Sequence, residues 1–152
     1  FSGKKAEFDM AQEFIDKLSE VTLVEKDKVF FVPGNHDVDR NEEEDAIVGA
    51  RLLISSLPEL DRIYSNHKRL KTLYNRQKKY RNFANSNSSE KIYSEKSSIH
   101  NIEIDRKSIK IKILLLDSGW RAHDETDCRK LAVGLKQIKK YLIRLRIVDT
   151  IV

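Results

Sequence analysis

Asn35, His36 and Asp37 follow one another directly after Pro33-Gly34. An Asn carbonyl oxygen is a neutral ligand for a hard divalent cation, and a His ring binds metal or moves protons near neutral pH. No Ser or Cys adjoins the trio to serve as a nucleophile. Metal-assisted or acid–base chemistry is therefore what these residue types support. The ordinary alternative is local, because Asn, Asp and Gly also form turns and cap helices.

The elements around the trio decide between the two. Val29-Phe30-Phe31-Val32 reads as a buried strand of a parallel sheet, and Pro33-Gly34 ends it abruptly. In open α/β sheets, ligands bind beyond the carboxyl ends of the strands. Upstream, Phe8, Ala11, Ile15 and Leu18 recur at helical spacing and predict an amphipathic helix from Lys5 to Glu20. A loop through Lys26-Asp27-Lys28 joins helix to strand, as in half of a crossover connection. That placement favours a functional trio.

Gly34-Asn35-His36-Asp37 resembles the Gly-Asn-His-Asp signature of the calcineurin-like metallophosphoesterases. Three further stretches agree in order and spacing. Phe1-Ser2-Gly3-Lys4 and its helix look like the segment after the family's second motif. Leu114-Leu115-Leu116-Asp117-Ser118-Gly119-Trp120 looks like its central strand and turn, and Gly134-Leu135-Lys136-Gln137 matches the start of the helix that often follows. The resemblance implies an α/β fold, a metallophosphoesterase-type β-sandwich flanked by helices. It also implies hydrolysis of phosphate mono- or diesters at a pair of divalent ions such as Mn, Fe or Zn. By the same resemblance Asn35 is a metal ligand and His36 protonates or stabilises the leaving oxygen. Gly34 and Asp37 orient the loop, Asp37 as a hydrogen-bond acceptor. The family's Asp-x-His and Gly-Asp motifs have no counterpart here, and residues 148–152 read as the start of another buried strand. Residues 1–152 are thus expected to be a partial phosphoesterase domain, truncated at both ends and inactive alone, with most ligands outside it.

Between Glu42 and Phe83 the chain reads as strongly helical, an insertion over about residues 42–84. Ala46, Ala50, Leu53 and Leu57 form one stripe, and Pro58 should break or restart the helix. Leu60, Ile63, Tyr64, His67, Leu70, Leu73 and Tyr74 predict one long second helix from about Glu59. Its many Lys and Arg suggest either a wall for a polyanion such as a nucleotide or nucleic acid, or simply a solvated face, and their spread over several faces favours the solvated face. Asn85-Ser86-Asn87-Ser88-Ser89 reads as a mobile loop. Ile92-Tyr93 and His100–Ile104 look like short edge strands, and the period-two run Ile109–Ile113 becomes apolar through Leu116, a strand entering a sheet interior. Asp105-Arg106-Lys107 suits the turn between them.

Other reactive side chains carry less. His67 is expected to be partly buried on its helix, His100 to make a simple hydrogen bond, and His123 to lie in a polar loop without a trusted ligand spacing. Cys128 reads as an ordinary loop thiol. One Cys allows no internal disulfide and points to a reducing, cytoplasmic setting. No apolar run approaches the roughly 20 residues of a membrane span, so no membrane partner is expected. Charged residues make up 35% of the 152, above the roughly 25% of typical domains, while the net charge of +5 is too modest to name a partner. The competing function is a non-catalytic module on the same fold that binds protein or nucleic acid. An α/β hydrolase with a Ser nucleophile is disfavoured, because neither Gly-x-Ser-x-Gly nor a Gly-rich phosphate loop occurs.

Overall fold

The computed structural model describes residues 3–42, 56–88, 93, 99–122, 131, 133–135, 138–139 and 141–142. Helix α1 runs Lys5–Thr22, and the Glu7 carboxylate accepts the Lys4 N–H at 2.9 Å to close its first turn. Phe8 and Ile15 are buried, whereas Leu18, expected inside, is 37% exposed. Met10, Phe14 and Val21 add a second, exposed apolar stripe to the same helix.

Val29–Val32 is not a paired strand. Val29 is extended (φ −96°, ψ 121°), but no ladder joins this segment to another among the described residues, and Val32 is 49% exposed. β-Rich composition selects an extended backbone; a strand also needs a neighbour to take its hydrogen bonds. Here the Phe31 carbonyl is taken by a side chain instead, accepting the Tyr93 hydroxyl at 2.7 Å.

The expected long second helix is three: α2 (Leu57–Tyr64), α3 (His67–Asn75) and α4 (Lys78–Ser86). Pro58 lies in the first turn of α2, where its missing N–H costs nothing. The apolar spacing does continue across the breaks, but local capping cuts the chain. Asn66 caps α3 by accepting the Arg69 N–H at 3.2 Å, and the Ser65 hydroxyl donates to the Asp61 carbonyl at 2.9 Å. The first break folds α2 and α3 around one core of Leu60, Ile63, Tyr64, Leu70, Leu73, Tyr74 and Trp120, and the second sends α4 to another. His67 falls at the start of α3 and is exposed, not partly buried. The stripe through Ala46, Ala50 and Leu53 lies outside the described residues.

Strands β1 (Ile99–Arg106) and β2 (Ile109–Leu116) pair antiparallel, with Ile99 opposite Leu116 and Arg106 opposite Ile109. Lys107 begins the two-residue turn at φ +55°. Ile111 and Leu115 share one face of β2, and burial rises along that face from Ile111, 43% exposed, to the buried Leu115. A second core joins Phe8, Tyr80, Ala84, Tyr93 and Leu115, with Phe30, Phe31 and Phe83 packed around it. The run Asn85–Ser89 is not simply a loop. Asn85 and Ser86 end α4, Asn85 pairs with the Tyr93 backbone at 2.9 and 3.1 Å, and Asn87 pairs with Gln12 of α1. Its amides join elements far apart in sequence. The described residues are therefore mixed α and β, with a two-stranded antiparallel sheet as their sheet.

Candidate functional site

Gly34, Asn35, His36 and Asp37 form one tight turn, Asn35–Asp37 being a single 3-10 turn. The Asp37 N–H donates to the Gly34 carbonyl at 3.3 Å, and the Gly34 N–H returns a bond to the Asp37 carboxylate at 2.8 Å. Burial raises the Asp37 carboxyl above its ordinary range, against the opposing pull of that N–H and of His36. Asn35 is half-buried, and its amide has no hydrogen-bond partner among the described residues; His36 is exposed. The turn thus commits Asp37 to its own geometry and leaves Asn35 and His36 at the surface.

Val38 and Asp39 anchor this turn to the helices. Val38 is fully buried, and the Asp39 N–H donates to the Arg76 carbonyl at 2.9 Å, just before α4. The Asp39 carboxylate accepts the Asn41 N–H at 3.0 Å and pairs with Lys79. Burial opposes ionisation of Asp39, but Lys79 and the Asn41 N–H outweigh it and hold the carboxyl below its usual range. Lys79 is raised in turn by Asp39 and Glu42.

Three turns meet here. Gly3 has φ +69°, and a Cβ on it would lie 2.6 Å from the Asp39 nitrogen and the Val38 carbonyl carbon. Gly119 sits against Gly34 so closely that a Cβ would overlap the Gly34 carbonyl. Only glycine permits either approach. The bend at Gly3 before α1, the Gly-Asn-His-Asp turn and the Asp-Ser-Gly turn after β2 are therefore one cluster, although more than 110 positions separate the first from the last.

Beneath it lies a buried polar network that the sequence did not disclose. Asp117 is 0% exposed and accepts Gln77 Nε2 at 3.1 Å, Arg81 Nη2 at 3.3 Å and the Trp120 N–H at 3.0 Å. Gln77 Oε1 accepts Arg81 Nε at 3.2 Å and Nη2 at 3.1 Å, and the Arg81 guanidinium stacks 3.8 Å over the Tyr74 ring. Burial pushes the Asp117 carboxyl up to about 6, with Arg81, Gln77 and the Trp120 and Gly119 N–H groups pulling it back. The only local signal was the i, i+4 spacing of Gln77 and Arg81, which does not name a partner 40 or 36 residues away.

The implied ions can be set against these residues. Asn35 suits a metal, being a half-buried neutral amide without a competing hydrogen-bond partner among the described residues. A two-metal centre needs more, and no group of three or more His, Cys, Asp or Glu that could hold an ion occurs among the described residues. The turn thus fits one ligand of such a centre. His67 on α3 and His100 on β1 are not gathered to it, while His123 and Cys128 lie outside the described residues. A groove of about 370 Å³ between α1 and α4 is lined by Phe8, Gln12, Lys79, Asn82 and Phe83 but by none of residues 34–37. Among the described residues no helix is long and apolar enough to cross a membrane. Compared with protein-family models, curated proteins and solved structures, the chain matches none.

Proposed function

We propose that this chain contributes part of the active site of a metal-dependent phosphohydrolase acting on phosphate mono- or diesters, on a metallophosphoesterase-type β-sandwich. The observation that carries this reading is the convergence of the three turns. Each resembles a segment of the same family, and they pack together through two glycines that admit no side chain. Turns chosen for an accidental resemblance have no reason to meet.

In this reading Asn35 offers its carbonyl oxygen to a divalent ion without adding charge. When bound, a pair of such ions holds the phosphate and lowers the pKa of an attacking water. His36, exposed beside Asn35, gives a proton to the leaving oxygen or stabilises its charge. Asp37 does not ligate; it holds Gly34 and so fixes the directions of its two neighbours. Asp117 and Gly119 set the turn from below.

The test is hydrolysis of p-nitrophenyl phosphate and its bis ester by the natural protein with Mn²⁺. His36→Ala should lower turnover by about a hundredfold or more while bound manganese stays constant. Asn35→Ala should lower bound manganese itself. Undiminished hydrolysis by the His36 variant would remove His36 from the chemistry.

A further inference from the structure

Between Arg62 and Ser89 the chain holds no Asp or Glu. Folding sorts the cations of this stretch into two groups. Arg76 and Arg81 are buried, and Lys79 is paired with Asp39 and Glu42. Arg62, Lys68, Arg69 and Lys78 are exposed, and none has an acidic partner among the described residues. Lys71 and His67 are exposed beside them on α3. The helices that carry them lead to the candidate turn: α3 packs on the Gly119–Arg121 turn, which packs on Asn35–Asp37, and the Arg76 carbonyl holds Asp39.

We infer that the exposed cations of α2–α4 bind the phosphate backbone of double-stranded nucleic acid. Exposed cations on neighbouring helices match a polyanion, and releasing its counterions drives binding. Two features select the duplex. Tyr64, Tyr74 and Tyr80 are buried and Phe83 packs against the second core, so α2–α4 present no fully exposed aromatic ring on which unpaired bases could stack. Asn66, Asn75 and Asn82 are exposed among the cations and supply the neutral donors that commonly contact phosphate and sugar. An anionic membrane fits poorly, because Leu57 is the single large apolar side chain strongly exposed on α2–α4 among the described residues, too little to enter the bilayer surface. The inference rests on the phosphohydrolase reading only in naming its substrate class, and binding is measured without hydrolysis.

The experiment is fluorescence anisotropy of a labelled 20-base-pair DNA duplex, titrated with the full chain in EDTA at 50 to 200 mM salt. Four phosphate contacts predict that affinity falls about a hundredfold over that range. Lys68→Ala/Arg69→Ala should lower the slope of log K against log salt by about 2, with an unchanged circular dichroism spectrum. Lys17→Ala/Lys107→Ala, which removes exposed cations of α1 and the hairpin, should leave the slope alone. His36→Ala should bind as the parent does, so lost hydrolysis with kept binding would separate the two readings. No binding at 50 mM salt by the folded protein, an equal slope in both double variants, or preference for phosphatidylserine vesicles over duplex would each overturn the assignment.

Discussion

Gly119 lies against the carbonyl of Gly34, and this contact ties the end of the hairpin to the turn that carries Asn35 and His36. Both partners are backbone, so neither can swing aside. Gly119→Ala must therefore push the two turns apart. Overpacking of this kind costs about 1–3 kcal/mol, and urea unfolding should show a loss of that size. The His36 ring resonances should move in the same variant. An unchanged unfolding midpoint would mean that the two turns are not in contact.

Asp117 gives the chain a stability that depends on pH in an unusual direction. Its carboxyl titrates near 3.8 when free but is pushed up to about 6 in the fold. Between those values the folded state holds more of this proton than the unfolded state does. The contribution of Asp117 is thus largest below about pH 4, declines as pH rises toward 6, and is constant above. The full change is on the order of 2–3 kcal/mol. Asp39 works the opposite way, its lowered pKa adding stability that is lost on acidification. The comparison must therefore be between parent and Asp117→Asn. Urea midpoints at pH 4, 5, 6 and 7 should show the parent losing stability relative to the variant as pH rises, and parallel curves would refute the shift.

Leu23 closes α1 in the left-handed region, at φ 57°, with 88% of its surface exposed. It bears the strain of that conformation and recovers little by burial. Glycine adopts it freely and is the usual residue there. Leu23→Gly should raise stability by roughly 1 kcal/mol, since a left-handed residue costs about 1–2 kcal/mol and the greater freedom of unfolded glycine returns part of it. Thermal melting would detect this as a rise of a few degrees.

The hairpin and α1 were legible because their periods are local. Alternation over Ile109–Ile113 and helical spacing from Phe8 to Leu18 are written in neighbouring residues. Pro58 likewise announced a helix start. The breaks at Asn66 and Gln77 were hidden because the apolar spacing runs through them; at Asn66 a single capping amide overrides it. Val29–Val32 looked like a strand because its composition suits one, while pairing is a property of neighbours. The Asn35-His36-Asp37 turn was visible as a motif. The network that supports it was not, because Gln77, Arg81 and Asp117 are ordinary polar residues until the fold buries them together.

That network also orders events in time. Helices α2, α3 and α4 turn about one another through short connections, and their contacts close small loops. The Gln77–Asp117 bond closes a loop of 40 residues, at an entropic cost of about 3 kcal/mol. Local helical packing can thus precede it, leaving the docking of the hairpin's end, and with it the approach of Gly119 to Gly34, as a late step of folding. In stopped-flow kinetics Asp117→Asn would then speed unfolding and leave refolding nearly untouched, whereas slowed refolding would place the network in the nucleus. The candidate turn would be the last part of the chain to take its shape and the first to lose it.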